Sequence, residues 1–485
     1  MGAMAVAVNK TGENAVPKVV SMLKELTHRG ADAHGVATPN SVKVTKTIEE
    51  ISIENINSSV ALGHNLSRTV SKDRPQPVLG DDFALVFEGR LFPSPNLSEV
   101  DQVLKRFNGN PWKNAVDILT ELDGSYVFAI AQSNQTIVGR DSLGATPLYY
   151  GENKTFSAVA SERKALWTLG IKNVRSFPPG NLAAVNAHGF AFHPIKTVTQ
   201  PPIEPMELEM AAKRLQKLLL ESTKERVSNL ENVVVAFSGG LDSSVIAALA
   251  KTCGTEVHLV SVGLQDQPEI PHVKAAAKAL KLPLHFQTYM LDDVKRVLPK
   301  VLWLIEEPNV VKANIAIPLY WTAEVTSKLG CKVLLAGQGS DELFGGYQKY
   351  LRIYSQSGTA AVRDAMYQDV ALSYEVNLQR DNQACSFHGV ELRLPFLDRE
   401  VVCFSLSLPV SLKIEYAENS SRKKVLRRTA QNLGMPLFIA NRPKRAIQYE
   451  TGVNKALRRL AKKEGLSLQE YIKKSFRKVY PNEGA

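Results

Sequence analysis

The sequence predicts a two-domain α/β protein whose second half is a doubly wound parallel sheet, and three observations carry that prediction. From Glu207 onward, short apolar runs alternate with stretches of helical period, the pattern of parallel strands joined by helices. Two of those runs, ending at Phe237 and Ala336, break into Gly-rich turns, and in such a sheet ligands lie beyond the carboxyl ends of the strands. Thr197-Val-Thr-Gln-Pro-Pro-Ile-Glu-Pro205 holds three prolines in five residues, continues neither a helix nor a central strand, and divides the chain into 1–200 and 207–485.

The first half alternates short strand-like runs with turn signals. In the second, Glu207–Leu230 reads as an amphipathic helix and Val233–Phe237 as a buried strand, continuously apolar and β-branched. A helix through Ala250, a strand Glu256–Val262, a helix Val273–Leu280, a strand Leu284–Tyr289 and a helix Asp292–Ile305 follow. Glu306–Pro318 reads as a loop, Lys332–Ala336 as the next strand, and from about Ala360 the pattern is helical to the end. No internal repeat or low-complexity tract interrupts it.

At 485 residues, 44% hydrophobic and 22% charged, the composition is that of a soluble globular protein with room for two or three domains. No apolar run approaches bilayer-spanning length and the amino terminus lacks a secretory pattern, so a cytoplasmic protein with no membrane partner is expected. Cys253, Cys331, Cys385 and Cys403 lie far apart, with no Cys-x-x-Cys pair for zinc or redox chemistry, and read as reduced. The net charge of +11 is uneven: residues 411–485 carry 18 Lys+Arg against 6 Asp+Glu. A solvated helical face is the preferred reading of that basic end, with a nucleic-acid surface the less favoured one.

The first Gly-rich turn is Val233-Val-Val-Ala-Phe-Ser-Gly-Gly-Leu-Asp-Ser-Ser-Val245. Ser238, Gly239 and Gly240 let the backbone turn sharply, so that successive N–H groups face one anion while the next helix presents its positive end. Such a loop holds phosphate. It has neither Walker A spacing nor Gly-x-Gly-x-x-Gly; Ser-Gly-Gly-Leu-Asp-Ser-Ser instead resembles the pyrophosphate loop of the N-type ATP pyrophosphatases, which split ATP between its α and β phosphates. The two glycines alone fit a plain strand-to-helix turn equally well; the seven-residue string favours phosphate. The second turn, Ala336-Gly-Gln-Gly-Ser-Asp-Glu-Leu-Phe-Gly-Gly-Tyr347, sets acidic and amide side chains among four glycines. Asp341-Glu342 alone suits a helix N-terminus. With Asp242, Asp341 supplies two carboxylates at the mouths of two parallel strands, able to share Mg²⁺ on a triphosphate.

Ser238–Ser244, Gly337–Tyr347, Gly389-Val-Glu-Leu-Arg-Leu-Pro-Phe-Leu-Asp398, Lys423-Lys-Val-Leu-Arg427 and Arg442-Pro-Lys444 with Gly452-Val453 follow one another in an order that resembles the glutamine-dependent asparagine synthetases. The resemblance covers nearly the whole chain. His28-Arg-Gly-Ala-Asp-Ala-His-Gly35, Gly139–Tyr149, Ala160–Leu166 and Phe177-Pro-Pro-Gly180 look like that family's glutaminase domain, which implies an Ntn-hydrolase-like four-layer αββα sandwich ahead of the ATP-pyrophosphatase domain. In the family this domain works through a cysteine directly after the initiator methionine; Gly2 stands there, Glu88-Gly89-Arg90 replaces Asn-Gly-Glu, and Leu66 occupies the position of the glutamine-carboxylate arginine. A glycine cannot attack an amide, so an inactive glutaminase is expected. In the second half Gln338 stands where the family has the glutamate that takes the ammonia proton, and an amide cannot be a general base.

The resemblance implies an ATP-dependent amide-forming ligase that adenylates a carboxylate, aspartate foremost, and transfers it to ammonia or another amine. Ser238, Gly239, Gly240, Asp242, Ser243 and Ser244 would cradle pyrophosphate, with Gly337 and Gly339 beside them and Val262 by the adenine. Asp242 and Asp341 would hold Mg²⁺, and Lys444 would stabilise charge on the α-phosphate. Gln338 and Glu391 complete the catalytic candidates, Glu391 as a buried partner of Arg393; Lys423 and Arg393 read equally as helpers or structural groups. The alternatives are an ATP pyrophosphatase acting on tRNA, a β-lactam-synthetase-like ligase, and a non-catalytic regulator; the family also allows a homodimer.

Overall fold

The computed structural model describes residues 2–52, 54, 56–94, 96–265, 267–415, 422–443 and 447–481. The chain divides into two compact units, Met1–Val198 and Thr199–Ala485.

The first unit is built from thirteen strands: β1 Gly2–Asn9, β2 Ala33–Thr38, β3 Ser41–Thr45, β4 Val60–Leu66, β5 Val78–Leu79, β6 Ala84–Leu91, β7 Gly124–Ala131, β8 Thr136–Arg140, β9 Tyr149–Glu152, β10 Phe156–Ala160, β11 Arg175–Ser176, β12 Asn181–Asn186 and β13 Gly189–Pro194. They form a seven-stranded sheet, β11-β9-β10-β1-β4-β2-β3, and a six-stranded one, β13-β12-β8-β7-β6-β5. The period of two along β1 sorts its side chains by size. Ala3, Ala5 and Ala7 face the helices Val16–Glu25 and Arg163–Trp167, while Met4, Val6 and Val8 face the second sheet. In β7, Val127, Ala129 and Ala131 meet the first sheet, and Tyr126, Phe128 and Ile130 pack on the helices Glu99–Leu104 and Pro111–Glu121. Helix, sheet, sheet and helix stack as four layers.

In the second unit β14 Asn232–Ala236, β15 Glu256–Leu264, β16 Leu284–Tyr289, β17 Val333–Leu335 and β18 Glu391–Arg393 make a parallel sheet in the order β16-β15-β14-β17-β18. The chain order reverses direction between β15 and β17 around β14, the place where such sheets open a ligand crevice. Helices cover both faces. Leu291–Ile305, Val310–Lys328, Gln379–Ser386, Val453–Lys463 and Leu468–Val479 share one core with Val234, Val260 and Val262. Leu208–Val227 packs with Leu241–Thr252 and Lys424–Asn432.

Two expectations are corrected here. The segment after Ala360 is not helical throughout, because Glu391–Arg393 adds the fifth strand; three residues between a buried polar helix and a proline give no periodicity to read. The supposed loop Glu306–Pro318 is helix from Val310 onward. Asn309 caps it, its side chain accepting from the Val311 and Lys312 amides, and the helix carries Pro318 in its interior, where the sequence signalled a break.

Candidate active site

The Ser238-Gly239-Gly240 loop joins the end of β14 to the helix Leu241–Thr252. Gly239 turns at φ +68°, a conformation in which a side chain is strained. The loop is tied internally: Ser238 Oγ accepts from the Gly240 amide at 3.2 Å, and Ser243 Oγ accepts from the Ser238 amide at 3.3 Å. Ser244 is buried and its Oγ has no hydrogen-bond partner among the described residues. A buried hydroxyl without a partner costs on the order of 1–3 kcal/mol, so this one suits a bound acceptor.

Lys423 is the centre of the site. Its Nζ donates to both oxygens of Asp242 at 2.8 Å and to Ser340 Oγ at 2.8 Å, and lies 2.6 Å from Asp341 Oδ1. Ser340 Oγ in turn donates to Asp242 at 2.7 Å. Lys423 reaches this position from a left-handed residue, φ +61°, at the start of the helix Lys424–Asn432, and its side chain is 3% exposed. The Gly345-Gly346 turn closes over the cluster; a Cβ on Gly346 would fall 1.9 Å from Asp341 Oδ1 and 2.4 Å from Lys423 Cε, so no other residue fits without displacing the carboxylate. Gly337 and Gly339 lie in the turn between β17 and the helix Ser340–Phe344, Gly337 against Asp242 and Gly339 against Leu397. Two carboxylates face one ammonium here, with the Arg427 charge also acting on Asp242, and their hard oxygen donors fit a divalent cation arriving with phosphates.

Beside the loop, a cavity with about 560 Å³ of empty space, its open mouth included, is lined by Phe237, Val260, Val262, Gly263, Ile270 and Thr451, among others. Its walls are mostly apolar, as a flat base requires. Arg442 holds the rim: Nη1 donates to the Ser238 carbonyl at 2.8 Å, and Nη2 pairs with Glu269 and, at 3.2 Å, with Glu450. His272 Nε2 lies 2.9 Å from the Gly239 carbonyl.

A second group lies near Gln338. The helix Gln379–Ser386, Gln-Arg-Asp-Asn-Gln-Ala-Cys-Ser, is buried at every position although five of its residues carry large polar or charged side chains. It follows a π-helical turn, Tyr374–Leu378, a feature common at functional sites. Asp381 is fully buried. Arg380 Nε donates to its Oδ1 at 2.7 Å and Gln338 also bonds its carboxylate, but burial dominates and raises its pKa. Glu342 accepts from Tyr347 Oη at 2.6 Å and from Asn377 Nδ2 at 3.0 Å; burial and then the Asp341 charge push its pKa up. Glu391 is buried and accepts from Arg393 Nε at 2.6 Å, while Arg393 Nη1 donates to the Arg226 carbonyl at 2.5 Å. That pair braces the end of the sheet. Lys444 lies outside the described residues.

The structure thus brings Ser238–Ser244, Asp242, Asp341 and Gly337 to one edge, with Val262 in the adjoining cavity. Lys423, read from sequence as half structural, joins the two carboxylates. Asp381, Arg442 and Glu269 were not read as site residues at all. Arg442 had a signal in Arg-Pro-Lys; Asp381 sits in a polar string that reads as solvent-exposed.

In the first unit, Gly2 occupies the start of a fully buried strand. Its amide donates to Glu88 Oε1 at 2.6 Å and its carbonyl accepts from Arg29 Nε at 3.0 Å. A Cβ there would lie 1.9 Å from the Asn65 carbonyl oxygen. Glu88 is held by His64 Nε2 at 3.1 Å, and Leu66 is buried opposite Gly2 on β4. Arg90 turns to a bidentate pair with Asp73, at 2.5 and 2.7 Å, and to Glu99 at 3.2 Å.

Fold and site define a class: a four-layer αββα unit joined to a parallel-sheet unit with a pyrophosphate-type loop. The asparagine synthase family model matches residues 214–361 and 353–480, and the glutamine amidotransferase domain model residues 1–176. A Methanocaldococcus jannaschii protein given as a glutamine-hydrolysing asparagine synthetase is 32% identical, with 95% of this chain and 96% of that one covered. The asparagine synthetase of Brassica oleracea is 26% identical over 85% of this chain and 70% of its own length. Among solved structures, the glutamine phosphoribosylpyrophosphate amidotransferase of B. subtilis is similar at 19% identity and TM-score 0.35 over 59% of this chain and 65% of that one, too loosely to bear on function. The chain belongs to the asparagine synthetase family, ATP-dependent carbon–nitrogen ligases that form AMP and pyrophosphate. Among the described residues, no helix is long and apolar enough to cross a membrane.

Proposed function

We propose that this protein activates a carboxylate with ATP and transfers the acyl group to ammonia or another amine that it does not obtain by its own glutamine hydrolysis. One carboxylate oxygen attacks the α-phosphorus and pyrophosphate leaves; the amine nitrogen then attacks the acyl carbon, AMP leaves with the bonding electrons, and one proton is released. Aspartate is the carboxylate the family resemblance favours. The observation that carries the reading is the Lys423 ammonium between Asp242 and Asp341, beside a phosphate-type loop and an apolar cavity.

The Ser238–Gly240 amides and the Ser243 and Ser244 hydroxyls bind the departing pyrophosphate. Asp242 and Asp341 are the residues that would hold Mg²⁺, which would neutralise the phosphate oxygens when bound. Lys423 keeps the two carboxylates from repelling each other and adds a positive charge in a site with little water, where such charge is worth most. Arg442 fixes the loop carbonyl and the cavity rim together, so that base and phosphates are held in one register. Gln338 cannot take the amine proton; held against Asp381, its amide orients the nucleophile, and water or the phosphate leaving group accepts the proton. The want of space for any side chain at residue 2 supports an inactive glutaminase.

Exchange of labelled pyrophosphate into ATP tests the reading. Exchange that depends on a carboxylate, with aspartate active in a screen of amino-acid carboxylates, is the expected result. No exchange with any carboxylate, at any ammonia concentration, overturns it.

A further inference from the structure

The basic end of the chain is folded into a surface. Val453–Lys463 and Leu468–Val479 bury Leu457, Leu460, Tyr471, Ile472 and Phe476 against Leu298, Val301 and Leu302 of the helix Leu291–Ile305. What remains outside on the first helix is Lys455, Arg458, Arg459, Lys462 and Lys463. The second adds exposed Lys474, Arg477 and Lys478. Only Glu464 and Glu470 oppose them within 453–481, and both are engaged. Glu464 accepts from Lys474 Nζ at 3.0 Å, with Lys295 of the packed helix also acting on it, and Glu470 caps its own helix through the Ser467 amide at 2.8 Å.

We propose that this face docks the phosphate backbone of a nucleic acid. A membrane-surface helix needs large apolar side chains to insert between lipids, and a protein interface needs apolar or aromatic anchors at its centre. Among the described residues these two helices expose no large hydrophobic side chain. A face of cations without anchors suits a polyelectrolyte, whose binding is driven by release of condensed counterions. The surface also begins beside the cavity that Phe237 and Val262 line: Thr451 lines it too and its carbonyl accepts from the Leu264 amide at 2.9 Å, two residues before Val453. The inference stands on charge and packing and is independent of the ligase reading.

Fluorescence anisotropy of the full-length protein with labelled RNA and DNA oligonucleotides, single-stranded and duplex, tests it across a salt series. The expected result is binding at low salt, with affinity falling steeply and log-linearly as salt rises. The variant Arg458→Glu, Lys462→Glu, Lys474→Glu, Lys478→Glu should bind about a hundredfold more weakly, as four lost phosphate contacts require. Replacing the same four residues by Gln gives a milder loss if the charge reversal disturbs folding. Lys213→Glu with Lys217→Glu, on side chains 71% and 76% exposed elsewhere in the unit, should change nothing. Pyrophosphate exchange should persist in all three variants. Binding that is absent at low salt overturns the proposal, as does binding lost equally in the control variant. Preference for phosphatidylserine vesicles with no oligonucleotide binding overturns it in favour of a membrane surface.

Discussion

At residue 2 the first unit has filled the place where an amino-terminal nucleophile would stand, whereas the second unit keeps Asp242 and Asp341 each within 2.8 Å of the Lys423 ammonium, with the glycines that admit them. The contrast extends to how each unit treats buried charge. In the first, Arg90 is locked to Asp73, Glu88 to His64, and Glu162 to His28, Arg29 and Lys164, so that each of these buried carboxylates faces a cationic or imidazole partner. In the second, burial raises the pKa of the Glu342 and Asp381 carboxyls, and Ser244 Oγ has no hydrogen-bond partner among the described residues. Perturbed groups of that kind cluster where chemistry is done. The two units, of different folds, thus hold their buried carboxyls in different ways.

The sharpest way to break the comparison is to remove the carboxylates at Lys423. Asp242→Asn and Asp341→Asn should each lower pyrophosphate exchange about a thousandfold, with circular dichroism unchanged because Lys423 keeps one anionic partner. Retained exchange in both variants would return the cluster to a structural ion pair. Lys444, outside the described residues, should come next: Lys444→Ala should lower the catalytic rate about a hundredfold while ATP affinity changes little, and Arg445→Ala should leave both near wild type. Equal small losses in the two variants would remove Lys444 from the reaction.

On the first-unit side, Gly2→Cys should yield no glutaminase activity and should destabilise that unit by about 2 kcal/mol, since even a Cβ meets the Asn65 carbonyl. Glutamate release from glutamine by this variant, or an unchanged melting temperature, would mean that residue 2 has room the structure denies it.

These contrasts were unevenly legible in the sequence. The β-branched run Val233–Phe237 and the Ser-Gly-Gly string give strand and loop directly, because backbone geometry dictates the residue types. Gly2 and Leu66 could be noticed only through resemblance, and the steric reason for Gly2 required its neighbour on β4. Gln379–Ser386 shows the limit: polarity predicts exposure, yet burial here is imposed by the strand and helices packed around it, and those contacts come from residues far away in the chain. Glu391–Arg393 and Val310–Lys328 were missed for the same reason, tertiary packing overriding short-range signals.

The smallest effect follows from the sign of the carboxyl shifts. In the first unit burial pushes Asp73, Glu88 and Glu162 up, but hydrogen bonds and charges outweigh it: Arg90 for Asp73, His64 for Glu88, and His28 with Lys164 for Glu162, leaving all three below their ordinary values. A carboxyl whose folded pKa is depressed contributes stability that is present above the unfolded pKa, about 4, and is lost as pH falls through the folded value. In the second unit burial raises Glu342 and Asp381, so the folded state binds protons that the unfolded state has released, and their contribution falls as pH rises from about 4 toward the folded value. Asp141, raised by burial in the first unit, runs counter to those three. Hydrogen exchange followed from neutral pH through 4 down to about 3, corrected for the intrinsic exchange rate, should thus show opening free energies in β1, β4 and β6 dropping by about 1–2 kcal/mol below pH 4 while those around Gln379–Ser386 hold or rise. A parallel loss in both regions would mean that the two units do not differ in how they hold buried carboxyls. Asp381→Asn locates the cause, since removing that titration should flatten the pH response of its helix and leave β1 unchanged.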